Sequence, residues 1–133
     1  MTEKLQLYRC EICGNIVQVL SEGADALVCC GEEMKLLDIQ HDSTELGEKH
    51  NPKLEEKDGR KYVHVKTHPM TKEHHIEFIQ VQSKDKKESC TKFFNPDEIP
   101  EVDITNFSGD MTAVEYCNIH HLWGMNEERT IYD

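Results

Sequence analysis

Apolar residues in this chain come in short runs separated by turn residues, the pattern of half-buried strands rather than of helices. Leu5-Gln6-Leu7-Tyr8-Arg9 alternates, Ile16-Val17-Gln18-Val19-Leu20 is strand-like, and Ser21-Glu22-Gly23-Ala24-Asp25 carries turn chemistry before Ala26-Leu27-Val28. From about Asp38 to Asn51 the sequence turns polar and loses periodicity, which predicts a connecting segment that delivers residues to a second domain. Beyond it, Asp58-Gly59 precedes a strand over 61–66. Further strands are predicted over 76–82, 89–94, 102–105 and 112–117, with a charged tip at Lys84-Asp85-Lys86-Lys87. No stretch holds a 3.6-residue period for long. The pattern predicts an all-β chain: a small module over residues 1–37, then an antiparallel β-sandwich of about seven strands over 38–133.

The first module has too few apolar residues to offset the cost of ordering its backbone, so it needs a staple. Six cysteines and eight histidines among 133 residues supply candidates. A net charge of −11 is spread along the chain and repels phosphate backbones and anionic lipid, so neither nucleic acid nor membrane is expected as a partner. No apolar run approaches the roughly 20 residues of a membrane span. The N-terminal residues lack the basic-then-apolar pattern of a secretory signal, so a cytoplasmic location is expected.

Cys10-Glu11-Ile12-Cys13-Gly14 has the form of a metal knuckle, and Cys29-Cys30 adds two more sulfurs. Four thiolates suit a tetrahedral soft-ligand centre, with zinc and iron equally compatible on spacing alone. Adjacent cysteines depart from the usual zinc ribbon. A disulfide pairing is the weaker reading in a reducing compartment.

Further on, His50 lies beside Pro52, His68 and His74 flank a turn fixed by Pro69, and Cys117-x2-His120 forms a two-donor knuckle. Any one of these histidines is more often a surface residue than a ligand; together they make a stronger case. One thiolate with several imidazoles does not match a closed four-ligand zinc site. Five such donors would leave an open sixth position on a redox-active metal.

The Cys10-x2-Cys13…Cys29-Cys30 module resembles desulforedoxin. Glu48-Lys49-His50, His68-Pro69-Met70, His74 and Glu115-Tyr116-Cys117-Asn118-Ile119-His120 resemble the superoxide reductase signature of neelaredoxins. The two in this order resemble the desulfoferrodoxin family over essentially the whole chain. The resemblance implies a desulforedoxin/rubredoxin-like module followed by an immunoglobulin-like antiparallel β-sandwich, with two iron ions per chain. Cys10, Cys13, Cys29 and Cys30 would hold an Fe(Cys)4 centre. His50, His68, His74 and His120 would be equatorial ligands, and Cys117 the axial ligand, of an Fe(His)4(Cys) centre. Glu48 and Lys49 would be mobile residues over its open face.

The implied activity is one-electron reduction of superoxide to hydrogen peroxide, with re-reduction by a rubredoxin-type protein or another reductase, in a homodimer. Long-range attraction cannot draw a small anion to a chain of charge −11, so a local field from the iron and Lys49 must do so. The competing readings are an electron carrier with a closed metal site and a zinc-stapled structural or regulatory module.

The sequence departs from the family pattern at three positions: His75 stands where an aromatic residue is usual, His121 where glycine is usual, and Asn51 where a small apolar residue precedes Pro52. Motif register selects His74 and His120 over their neighbours His75 and His121. His41 and His64 are expected to face solvent, and Cys90 to be a small apolar residue within a strand.

Overall fold

The computed structural model describes residues 1–41, 45–107, 109–125 and 129–131. The chain divides into two compact units, Met1–Asp38 and Ile39–Asp133.

In the first unit, β1 (Leu7–Arg9) pairs antiparallel with β2 (Ile16–Gln18), while β3 (Val28–Cys29) and β4 (Glu32–Glu33) form a separate hairpin. The following β5 (Lys35–Leu36) returns to the other edge of β1. Leu5, Leu7, Val19 and Leu37 are buried, whereas Leu20, Val28 and Ile12 are exposed. So small an apolar interior agrees with the need for a staple.

The second unit opens with a six-residue helix, α1 (Glu45–His50), where the sequence predicts only a polar connection. The pattern is too short to register as a helical period. Next, β6 (Lys53–Lys57) and β7 (Arg60–His64) form a hairpin around Asp58-Gly59. Both turn residues have positive φ, 53° and 77°, as a two-residue type I′ turn requires. Strand β6 is charged and lies at a sheet edge, which is why its pattern does not read as a strand.

The remaining strands are β8 (Ile76–Ser83), β9 (Ser89–Phe93), β10 (Glu101–Asp103), β11 (Gly109–Cys117), β12 (His121–Gly124) and β13 (Arg129–Ile131). They assemble into two antiparallel sheets, β10-β7-β6 and β12-β11-β8-β9, with β13 also on β11. Val63, Ile79, Val81, Val102, Met111 and Ala113 fill one shared core, so the two sheets form a sandwich.

Two details of register place the functional side chains. The β8–β11 pairing slips at its end: Tyr116 faces Phe78 but Cys117 faces Ile76, leaving Glu77 as a bulge. The slip switches parity, so Ile76 and the odd-numbered Ile79 and Val81 all reach the core. On β11, the odd positions Met111, Ala113, Glu115 and Cys117 are all buried and share a face, which puts a carboxylate and a thiol in the sheet interior. Trp123 pairs directly with Glu115 and shares that face.

Candidate metal centres

The four-cysteine cluster is built from two turns. Strand β1 runs into Cys10, whose N–H donates to Asn15 O while its own carbonyl receives the Gly14 N–H at 2.9 Å. Gly14 has φ +83°, the left-handed conformation that the knuckle needs. The adjacent pair is accommodated by Cys30 at φ +53° and Gly31 at φ +79°, which turn the chain sharply after Cys29.

The Cys13 and Cys29 sulfurs are 3.6 Å apart and those of Cys29 and Cys30 3.9 Å. A tetrahedron with metal–sulfur bonds of about 2.3 Å has edges of about 3.8 Å, so these sulfurs fit one ion. None of the six cysteines is joined in a disulfide in this structure. The Cys13 N–H donates to Cys10 Sγ and lowers that thiol to about 6, whereas hydrogen bonding to Cys10 and Cys13 pushes Cys29 up to about 12. Cys10 is thus disposed to ionise at neutral pH, and Cys29 needs a cation to do so.

The second cluster draws on separate parts of its unit. His50 comes from the last turn of α1, and His68 follows β7 and precedes Pro69. His74 lies in a turn whose Thr71 and His74 exchange backbone bonds of 3.0 and 3.3 Å. Cys117 ends β11 and His120 follows in the turn to β12.

Adjacent ring centroids are separated by 4.6 Å (His50–His68), 4.6 Å (His68–His74), 5.1 Å (His74–His120) and 4.8 Å (His120–His50). The diagonal from His50 to His74 is 6.3 Å. Four rings therefore stand at the corners of a near-square. Donor atoms of His50, His74, Cys117 and His120 all lie within 4.8 Å of one another.

Ring orientation follows from the outward hydrogen bonds. His50 turns Nδ1 to Glu115 Oε2 at 3.1 Å and His68 turns Nδ1 to Pro69 O at 2.6 Å, so both present Nε2 inward. The Nε2 atoms of His68 and His74 are buried and have no hydrogen-bond partner among the described residues. Such orphaned nitrogens mark a place for a cation. His50 Nε2 and His120 Nδ1 are 3.0 Å apart, which is about the separation of neighbouring nitrogens on one ion with bonds of about 2.1 Å.

Burial lowers His50 to about 3 and His68 to about 4, and it lowers His74 as well, so all three rings are neutral and ready to coordinate at pH 7. Burial likewise raises Cys117, whose Sγ receives the N–H groups of Ile119 and His120, each at 3.4 Å.

The neighbouring histidines are occupied elsewhere. His75 directs Nδ1 to Thr71 O at 3.1 Å, and His121 stacks on Tyr116 with centroids 5.8 Å apart. Asn118 ties the two turns together: its side chain accepts the His75 N–H and donates to Glu73 O. Glu48 and Lys49 lie on the exposed side of α1, opposite the buried His50. The Glu48 carboxylate sits 3.6 Å from Lys53 Nζ, and the Lys49 charge reaches His50 and His74.

His41 is exposed as expected. His64 lies on the face of β7 opposite the core residue Val63, yet it is only 13% exposed, beside Glu55 and its cross-strand neighbours Lys53 and Glu101. Cys90 lies in strand β9 but is exposed, since that strand is a sheet edge with an open face.

Glu115 and Trp123 carry more than sequence reasoning assigned them. Glu115 is 0% exposed, and the Trp123 indole stacks on His50 at 4.8 Å. The available signal was parity: Glu115 lies two positions before Cys117 on one strand face.

The sequence matches known families along both units. Residues 2–37 match the desulfoferrodoxin N-terminal domain and residues 42–126 match desulfoferrodoxin. A desulfoferrodoxin homolog of Archaeoglobus fulgidus is 41% identical over 128 residues, covering 92% of this chain and 98% of that one. The chain belongs to the desulfoferrodoxin family.

Two solved structures show the same fold. The superoxide reductase of Treponema pallidum aligns with a TM-score of 0.66 at 22% identity, over 91% of this chain and 97% of its own. A superoxide reductase in the oxidized state aligns at 0.51 and 28% identity, over 71% of this chain and 96% of its own. Two iron ions per chain accord with membership of the desulfoferrodoxin family and with the two donor sets. No helix among the described residues is long and apolar enough to cross a membrane.

Proposed function

We propose that the chain is a superoxide reductase, with Cys10, Cys13, Cys29 and Cys30 holding one iron and His50, His68, His74, His120 and Cys117 the other. The observation that carries this reading is the square of four rings with a lone thiol beside it. That set is too rich for a closed four-coordinate zinc site and leaves a position for a small ligand. Family membership and the 28% identical superoxide reductase support it.

Iron held there would supply the single electron that, with two protons, the conversion of superoxide to hydrogen peroxide requires. The protein's share is positioning and electrostatics. The neutral rings do not cancel the cation they hold, and Lys49 adds a positive charge that draws the anion in. Cys117 would be the thiolate donor to that iron, its basicity tempered by the Ile119 and His120 N–H groups on its sulfur. Glu48, exposed on α1 beside Lys53, would be the mobile carboxylate near the open face. Glu115 orients His50 through its Nδ1, and Trp123 stacks on the ring and shields it from water.

Residues 1–37 act as the Fe(Cys)4 module and 38–133 as the catalytic domain. A rubredoxin-type protein or another reductase returns the electron, the chain pairs as a homodimer, and it works in the cytoplasm. The test is to mix the reduced, iron-loaded chain with superoxide. One hydrogen peroxide per superoxide without oxygen release is expected. Oxygen release, or no reaction, would contradict the proposal.

A further inference from the structure

The segment that follows the first unit has a use beyond connection. Gln40 bridges Trp123 in parallel register, its N–H donating to Leu122 O at 3.1 Å and its carbonyl receiving the Gly124 N–H at 3.0 Å. Residues 39–41 thus lie against β12 as a one-bridge extension of the sheet. Gly124 makes this approach possible. A Cβ at that position would fall 2.5 Å from Ile39 Cγ2 and 2.9 Å from His41 Cε1, although φ there is ordinary.

From this seat the Gln40 amide reaches the turn that carries two of the proposed iron ligands. Its Nε2 donates to His120 O at 2.8 Å and to Leu122 O at 3.2 Å. Trp123 Nε1 donates to the same His120 carbonyl at 2.9 Å. The Cys117–His120 turn is therefore held at both ends: on the inside by two N–H groups on Cys117 Sγ, on the outside by two donors on its last carbonyl. A three-residue turn gripped in this way has little freedom to tilt the His120 ring relative to the sulfur.

We propose that Gln40 is a positioning residue for His120: fixed by its bridge to Trp123, it grips the carbonyl that closes the Cys117–His120 turn and so holds both donor atoms in one geometry. The inference rests on the reading that Cys117 and His120 hold iron. Gln40 touches neither substrate nor metal and acts through the turn. Loss of the two side-chain hydrogen bonds therefore loosens the ligand pair measurably.

The test uses the full, iron-loaded chain with Gln40→Glu, which keeps the shape but replaces the donor with an acceptor, and with Gln40→Leu, which removes the polar group. Iron release to a chelator is followed at each centre by its own visible band, so the four-cysteine centre serves as an internal control. The expected result is release from the histidine centre accelerated by about fivefold or more, together with a shifted thiolate-to-iron band and an unchanged four-cysteine spectrum. Release accelerated less than about twofold in both variants, or an equal acceleration at both centres, would overturn the inference. Should one variant fail to fold, the other reads the same quantity. If the native chain shows no thiolate-to-iron band at all, the reading of the site fails before Gln40 is tested.

Discussion

The carboxylate of Glu115 meets Nδ1 of His50 at 3.1 Å, with the two side chains 0% and 1% exposed. A carboxylate in so dry a place is held well above its usual range by burial, and the ring beside it is held neutral. A cation on the far side of the ring reconciles the two, because it draws charge from the imidazole and leaves Nδ1–H a stronger donor to the carboxylate. Glu115→Leu should therefore weaken iron binding at the histidine centre by about 10- to 100-fold while the four-cysteine centre keeps its affinity. Metal competition monitored at each centre checks this, and equal affinity at the histidine centre would show that Glu115 only packs.

The histidine register is testable through backbone strain. His121 sits at φ +69°, where glycine is the easy residue, and its ring lies on Tyr116. Relief of that strain and loss of the stack are each about 1 kcal/mol and of opposite sign, so His121→Gly should change stability by less than about 1 kcal/mol. It should also leave the thiolate-to-iron band unmoved. His120→Ala should shift that band, or remove it if iron is lost. A visible spectrum of each variant decides, and a shifted or lost band in His121→Gly would move the ligand by one position.

Away from the centres, Asp103 accepts bonds from the Thr105 hydroxyl and amide and pairs with Arg60, which lower its carboxyl to about 2. Because the folded value lies below the ordinary one of 3.8, the unfolded chain binds the proton first. The contribution is present above pH of about 4 and is lost as pH falls toward about 2. Asp103→Asn should flatten the fall of Tm over that window relative to the native chain. Parallel curves would show that this cluster adds nothing.

Lys49→Ala should slow the encounter with superoxide by on the order of threefold to tenfold and weaken its dependence on salt. Rapid mixing at several ionic strengths measures both. An unchanged rate would leave Lys49 as an ordinary surface cation.

Much of this architecture was legible in residues, for identifiable reasons. Strands β8 and β11 announce themselves because both carry apolar residues on a buried face, and the two cysteine knuckles depend on spacing alone. Charged β6 and the six-residue α1 were not legible, since an edge strand needs no apolar alternation and one turn and a half of helix shows no period. Glu115 falls within a motif, but spacing alone gives it no role. Its burial depends on the parity of β11, whereas its contact with His50 joins residues 65 positions apart and needs the folded sheet. For His64, polarity and strand parity both point away from the core, and only its cross-strand neighbours Lys53 and Glu101, with Glu55, limit its exposure.

The most direct measurement is metal analysis of the purified chain together with the visible spectrum of native protein and Cys117→Ser. The account predicts two irons per chain in the native protein and two separable sulfur-to-iron absorptions, of which the substitution removes one and spares the other. Zinc alone in a colourless protein, or a spectrum that Cys117→Ser leaves unchanged, would contradict it.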